Sequence, residues 1–437
     1  MGKARTFGMV VRHDRLHAAS CHGMSEFIDD LTRRLAVIRE RGLLRELRRV
    51  DSVVGPRLTV AGRELLNFAS NDYLGLAGHP ALRAAAVDAV GRYGAGSGAS
   101  RLICGSLAPH HELEVALARF KGTEAALSFS SGYAAALGTI CALVGRGDTI
   151  IIDRLVHACV VDAAKLCGAK LQVFPHNDLG ELEKLLRRLG QRQTGTAASA
   201  TPRSRTLIVT ESVFSMDGDA APLRELVELK ERFGAWLMLD EAHATGVLGA
   251  GLRGLAEAAG VAHRIEVQMG TLGKAIGAAG GFIAGPQVLV DYLVNAARSF
   301  IFSTAPTPAG AAAARAGVEL LQSAEGQARR TQLFERVAQA RAGLARLGWN
   351  CEAACGPILP LILGAEEAAV AAAAALRERG VFLPAIRYPT VARGEARLRL
   401  SLTAAHTEAD VETLLRALAE ARVEPRSRDG HREVAPE

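Results

Sequence analysis

Between residues 110 and 285, seven short apolar runs alternate with stretches of helical period, and that alternation constrains the fold more than any other feature. The runs are ALSF (126–129), TIII (149–152), KLQVF (170–174), TLIVT (206–210), WLMLD (236–240), IEVQM (265–269) and GFIA (281–284). Short apolar strands separated by helices imply a mostly parallel sheet covered on both faces, hence an α/β fold. The linker-like stretch in this region, QRQTGTAASATPRSR (191–205), reads as a surface loop. Beyond Pro308 the pattern changes to helical stretches at 309–323, 327–347 and 366–379, strands near 358–363 and 397–402, and a last helix over 407–422. That order predicts a smaller C-terminal α+β domain. The expected organisation is an extension (1–23), an N-terminal helix and arm (24–66), a large domain (67–308), the small domain (309–424) and a frayed polar tail (425–437).

Composition removes several function classes. With 49% hydrophobic and 22% charged residues the 437-residue chain has the makeup of a globular protein, and no apolar run is long enough to form a membrane-spanning helix. The charge of +6 rests on 52 Lys+Arg against 46 Asp+Glu, without the basic stripe and interleaved aromatics that single-stranded nucleic acid requires. Arg45, Arg48 and Arg49 read as a solvated helix face. The seven cysteines are odd in number and lack paired spacing; Cys351 and Cys355 have no second pair or His nearby to complete a zinc site. Reduced thiols in a cytoplasmic protein, with no metal, are the expectation. Residues 1–23 contain no apolar core of a secretory signal, and Met24, which opens a helical pattern, reads as the natural start.

Certain side chains stand out chemically. Lys274, in MGTLGKAIGAAGG, follows an apolar strand and has only small or apolar neighbours. Desolvation there lowers the pKa of an amine and makes it a usable nucleophile; a lysine snorkelling from a loop is the competing reading. The remaining lysines are expected in the tail (Lys3) or at the surface in or beside amphipathic helices (Lys121, Lys165, Lys170, Lys184, Lys230). Asp240 ends the strand WLMLD, which delivers a carboxylate to the carboxyl edge of a parallel sheet. It begins the letters DEAH, but no G-x-x-x-x-G-K-[S/T] phosphate loop precedes it, so a helicase is excluded. Ser130-Ser131-Gly132-Tyr133 lies between a strand and an apolar helix, where backbone N–H groups form a phosphate cup. The Gly-rich YGAGSGASR (93–101) is no dinucleotide fingerprint and reads as a flexible or substrate-lining loop. The polar stretch 211–219, with Glu211 and Ser215, and His157 in DRLVHAC also follow strands. A single such histidine is ordinarily packed or superficial, but several strand ends converging raise the functional reading. A phosphate cup, a buried carboxylate and a desolvated lysine together fit pyridoxal 5′-phosphate.

The motifs NFASNDYLGLAGHP (67–80), YGAGSGASRLICG (93–105), HHELE (110–114), SSGYAA (130–135), TESVFSMDGD (210–219), DEAHATGVLG (240–249), GTLGKAIGAAGG (270–281), FSTAPTP (302–308) and AIRYPTVARGEARLRLSLTAAHT (385–407) occur in one order. Over residues 44–422 the chain thereby resembles the α-oxoamine synthases, within the fold-type I pyridoxal-phosphate transferases. The resemblance implies a large cofactor-binding domain with a mostly parallel seven-stranded sheet, and a homodimer with a shared active site. The ending is most similar to members that condense L-alanine with a pimeloyl thioester of coenzyme A or acyl carrier protein in biotin biosynthesis; sister enzymes take glycine or serine. It further implies Lys274 as the Schiff-base lysine and base, Asp240 on the pyridinium nitrogen, His243 and Ser215 near the phenolic oxygen, and His157 on the ring. Gly132, Tyr133 and Thr271 would hold the phosphate, with Ser303 and Thr304 reaching the partner's. Arg387 would clamp the amino acid carboxylate, and Thr390, Arg45, Asn71 and Glu211 fall at substrate or cofactor positions.

Overall fold

The computed structural model describes residues 22–194 and 204–426, so the expectations for residues 1–21, most of the 191–205 loop and the end of the tail lie outside the described residues. The chain divides into two units, Met1–Leu47 and Arg48–Glu437. The first contains helix α1 (His22–Glu40), which begins two residues ahead of Met24.

The second unit opens with an antiparallel hairpin, β1 (Arg57–Val60) and β2 (Arg63–Asn67). Helices α2 (Pro80–Tyr93) and α3 (Ala108–Lys121) follow. The central sheet comprises β3 (Ala125–Phe129), β4 (Thr149–Asp153), β5 (Lys170–Phe174), β6 (Thr206–Glu211), β7 (Trp236–Asp240), β8 (Val267–Thr271) and β9 (Gly281–Gly285), in the order β3-β9-β8-β7-β6-β4-β5. Strands β5, β4, β6, β7 and β8 pair in parallel, and β9 runs antiparallel to both its neighbours. Because successive side chains point to opposite faces, one face gathers Ile150, Ile152, Leu207, Val209 and Met238 under α4 (Gly132–Leu143) and α5 (Ala158–Leu166). The other gathers Ile151, Ile208, Leu237 and Leu239 under α6 (Leu179–Thr194) and α7 (Leu223–Phe233). Covering both faces is what makes these strands continuously apolar.

The strand expected at 265–269 sits two residues later. Ile265 packs into the core just after a 3-10 turn, and pairing with β9 extends through Gly270 and Thr271. Gly270 is needed there, since a Cβ would lie 2.4 Å from the Phe282 ring. This shift carries the chain one step closer to Lys274.

The C-terminal part pairs β10 (Ile358–Gly364), β13 (Ala396–Ser401) and β12 (Ala385–Ile386) antiparallel, while β11 (Val381–Phe382) joins β2 in parallel. The hairpin and β11 carry too few residues for a periodic signal, and the sequence does not announce them. His406 links the C-terminal part to the chain after β2: its ring stacks on Phe68 at 4.2 Å, Nε2 donates to the Asn67 carbonyl at 2.9 Å, and Nδ1 accepts from Thr403 N–H. Burial pushes this imidazole down from 6.5 to about 4. The neutral ring's contribution is therefore complete above pH 6.5 and is lost as pH falls towards 4, a difference of about 3 kcal/mol. Urea unfolding at pH 7 and pH 4 is expected to show wild type losing about that much more stability than His406→Gln, which has no proton to take up. An equal loss in both proteins would remove His406 from the acid sensitivity.

Candidate active site

The carboxyl ends of β6 and β7 place Glu211 and Asp240 directly across from one another in the parallel register. Both are buried. Asp240 Oδ1 accepts from Ala242 N–H at 2.8 Å, and Glu211 Oε2 accepts from Ser215 N–H at 3.1 Å, while Glu211 Oε1 has no partner. Burial raises both carboxyl groups. Glu211 is raised well above the usual range, with the Asp240 charge adding to the effect; the charges of Lys274 and His157 and the Ala242 N–H hold Asp240 back. Of the pair, Glu211 is pushed the further towards its protonated form.

Lys274 follows β8, and Nζ donates to Thr271 Oγ1 at 3.1 Å. Burial lowers its pKa, Asp240 and Glu211 oppose that, and the Arg399 guanidinium adds to it. The desolvated amine expected from the sequence is thus what the fold builds. His157 caps the N-terminus of α5, with Nδ1 accepting from Cys159 N–H at 3.2 Å, and keeps an exposed flank. Burial lowers its pKa, against the pull of Asp240. His243 is buried and its pKa falls well below the usual range, first through burial and then through the charges of Lys274 and Arg399. Its Nδ1 lies 2.6 Å from Tyr73 Oη.

Around this centre the remaining residues stand as follows. Gly132 and Tyr133 begin α4, which Ser131 caps by accepting from Ala134 N–H; the first N–H groups of a helix have no intrahelical acceptor. Tyr133 Oη donates to Asp162 Oδ2 at 2.7 Å, so its hydroxyl is directed to α5. Arg387 is half-buried just past β12 and Thr390 is exposed, its N–H donating to the Arg387 carbonyl. Ser303 Oγ donates to the Thr304 carbonyl, and Thr304 bridges to Ser100. Arg45 belongs to the N-terminal unit.

A family model for class I and II aminotransferases matches residues 63–418. An 8-amino-7-oxononanoate synthase of Anaeromyxobacter dehalogenans is 51% identical over 90% of this chain and 95% of its own, and one of Geobacter sulfurreducens is 49% identical over 88% and 96%. Among solved structures, a serine palmitoyltransferase of S. paucimobilis carrying PLP and myriocin superposes with a TM-score of 0.83 at 30% identity, covering 91% of this chain and 98% of that one. An 8-amino-7-oxononanoate synthase of Francisella tularensis superposes at 0.67 with 26% identity, over 82% and 97%. The chain belongs to the aminotransferase class I and II family. Within it, the chain is an α-oxoamine synthase, an acyltransferase that uses pyridoxal phosphate.

The residues present fit pyridoxal phosphate. A Cβ on Gly132 would lie 2.6 Å from Thr271 Cγ2, and one on Gly281 would lie 2.6 Å from the Gly132 nitrogen, so the backbone approaches closely here and has no room for a side chain at either position. The orphaned Glu211 Oε1 and the lysine amine complete a donor set suited to a phosphorylated pyridine. Two site residues escaped the sequence reading. Arg399, on β13, is buried and donates to the Ser215 carbonyl, Asn71 Oδ1 and Tyr73 Oη; Tyr73 in turn meets His243. Arg399 sits in an alternating strand, RLRLSL, where the pattern alone signals an outward polar face; only the sheet's position behind the Ser215 loop turns it inward.

Other expectations are corrected by packing. Lys121 and Lys230 are buried: Lys121 Nζ meets Glu241 Oε2 at 2.5 Å and the Arg253 carbonyl, and Lys230 meets Glu266 Oε1 at 2.5 Å. Helical period identifies the core stripe but not the flank that a neighbouring loop covers. Segment 93–101 is pinned: Ser97 Oγ donates to the Pro306 carbonyl and buried Arg101 makes a two-pronged pair with Glu114 at 2.8 and 2.9 Å. Arg48 and Arg49 are solvated as expected, but on extended chain, not on a helix.

Proposed function

We propose that this α-oxoamine synthase joins L-alanine to a pimeloyl thioester, giving 8-amino-7-oxononanoate, CO₂ and free thiol in biotin biosynthesis, as a homodimer. The observation that carries this reading is the 51% identity to an 8-amino-7-oxononanoate synthase over nearly the whole of both chains. Pyridoxal phosphate, when bound, supplies an electron sink that lets an amino acid Cα lose a proton or CO₂. Lys274 would hold it covalently, Asp240 would keep its ring nitrogen protonated, His157 would lie on the ring, and Ser215 and His243 would flank its phenolic oxygen. Gly132, Tyr133 and Thr271 would hold the phosphate, with Ser303 and Thr304 serving the partner's site.

The residues then act as follows. Arg387 holds the alanine carboxylate, with Asn71 and Thr390 contributing to substrate binding. The lowered pKa of Lys274 makes its amine available to take the Cα proton. The electron pair left at Cα attacks the thioester carbonyl carbon, a C–C bond forms, and the thiolate leaves and is protonated. The former alanine carboxylate departs as CO₂, and the pair it leaves at Cα takes a proton back from Lys274. Asp240, buried and dry, would hold the ring nitrogen's proton through a charge-assisted contact stronger than the same contact in water. Burial disfavours the His243 cation, and its Nδ1 shares a hydrogen bond with the Tyr73 hydroxyl at 2.6 Å.

Thiol release from pimeloyl-CoA by the holoenzyme, compared across L-alanine, glycine and L-serine, tests the reading. Release with alanine, at least tenfold above the others, is expected. Release led by glycine or serine would assign a sister condensation instead.

A further inference from the structure

Asp153, the last residue of β4, is fully buried, and three donors converge on its carboxylate. They are Leu155 N–H at 2.7 Å, Asn177 N–H at 2.8 Å and His176 Nδ1 at 3.1 Å. The other edge of the same imidazole reaches the 211–219 loop, where Nε2 lies 2.8 Å from Asp219 Oδ2. Both partners are carboxylates, so both ring nitrogens donate and the ring carries a charge. Burial opposes that charge, but the two carboxylates outweigh it and hold the imidazole up at about 10. Asn177, the next residue, has a left-handed backbone (φ 56°), which asparagine tolerates better than most side chains. Its Nδ2 donates to Asp219 Oδ2 and to the Ala220 carbonyl, each at 3.2 Å. Two consecutive residues thus bridge the end of β4 to the return leg of the loop that carries Ser215.

The bridge leads to Ser215 through direct contacts. The Asp219 carbonyl accepts from Phe214 N–H at 3.0 Å, and the Phe214 carbonyl accepts from Gly218 N–H at 2.8 Å, which closes the loop just before Ser215. The buried Phe214 ring also meets the His176 ring edge-on, with centroids 4.3 Å apart. Glu211 and Arg399 hold the Ser215 N–H and carbonyl, and Arg397 holds Asp217 at the tip. His176 secures the remaining leg. Asp219 shows what that contact restrains: its Oδ1 is buried without a hydrogen-bond partner, and without His176 its Oδ2 would keep only the Asn177 amide. A carboxylate left so poorly satisfied is drawn towards water. Phe214, bonded to the Asp219 carbonyl, would move with it.

We propose that His176 is a positioning residue, which fixes Ser215 against the cofactor's phenolic oxygen by clamping the return leg of its loop to the end of β4. This deepens the proposed function and rests on its placement of Ser215. A strand end in the middle of the sheet is a suitable anchor, because a hydroxyl on a loop is aimed only as well as the loop is held.

The test compares wild type, His176→Gln, Ser215→Ala and the double variant as holoenzymes, with far-ultraviolet circular dichroism confirming that each is folded. The affinity for pyridoxal phosphate and the visible absorption of the bound cofactor are read without any substrate. Ser215→Ala is expected to weaken cofactor binding by about tenfold, the scale of one hydrogen bond to a charged group, and to shift the absorption maximum. His176→Gln is expected to weaken binding and to shift the maximum in the same direction. The double variant should match Ser215→Ala to within about twofold, since both changes act on one hydroxyl. Asp219→Asn breaks the same contact from its other side and carries the test if His176→Gln does not fold. Losses that multiply in the double variant overturn the proposal, as does a lowered melting temperature with affinity and spectrum unchanged. Either result would leave His176 a stabilising residue and the placement of Ser215 intact. If Ser215→Ala itself changed neither affinity nor spectrum, that placement would fail, and the proposal with it.

Discussion

Lys274→Ala is expected to lower kcat by roughly 10²–10⁴-fold, the scale of a lost acid–base group, while leaving the melting temperature close to wild type. The activity loss follows from the position of the amine. Lys274 Nζ lies past the end of β8, close enough to Asp240 and Glu211 for their charges to act on it, and burial keeps its pKa below the ordinary lysine range. No other described lysine can substitute. Lys121 is held in a buried ion pair, buried Lys230 pairs with the partly exposed Glu266, and Lys184 is an exposed helix residue paired with Glu181. The small stability change follows from the same geometry, since the side chain's one hydrogen bond is to Thr271 Oγ1. Thiol release, the visible absorption of covalently held cofactor and thermal melting read the three consequences separately. A variant that kept turnover within tenfold of wild type would sink the assignment of Lys274 as the reacting amine.

The strand ends made the centre of the site legible. Asp240, Lys274 and His157 each follow an apolar run, and a parallel sheet collects such positions at one edge, so their convergence was a consequence of the alternation itself. The central strands appeared where the apolar runs stood, and β8 slipped by two residues because Gly270 and Thr271 carry no apolar signal although they pair with β9. What the sequence hid were contacts that depend on how separate layers meet. Arg399 faces the Ser215 carbonyl and Tyr73 only because β13 packs behind the 211–219 loop, and nothing in RLRLSL marks that face. His176 is a similar case: it bridges Asp153 and Asp219, whose carboxylates hold its imidazole up at about 10, from a loop that the sequence reading passed over. Its cation ties the end of β4 to the segment that carries Ser215. Polar residues that join two layers are read as surface when each layer is considered alone.

Lys121→Met is expected to cost about 3–5 kcal/mol of stability, the penalty for leaving one member of a buried ion pair without its partner. Glu241 is fully buried; its Oε1 accepts from Ala256 N–H at 2.9 Å, and Oε2 faces the Lys121 ammonium. Its carboxylate also packs so closely on Gly254 that a Cβ there would lie 2.4 Å from Oε1, so the glutamate has little room to move towards water. Removal of the lysine would leave Glu241 to keep an uncompensated charge or take up a proton, and either route disfavours the native state near neutral pH. Because Glu241 follows Asp240 directly at the end of β7, the disturbance lies at the root of the site. The double variant Lys121→Met/Glu241→Gln removes both charges and retains an acceptor for Ala256 N–H, and it is expected to recover most of the loss. Urea or thermal unfolding of the single and double variants measures this, and non-additivity of several kcal/mol is the expected signature of a pair that acts as a unit. If Lys121→Met lost less than about 1 kcal/mol, the range of an exposed ion pair, the pair would have no structural role at the base of the Asp240 strand.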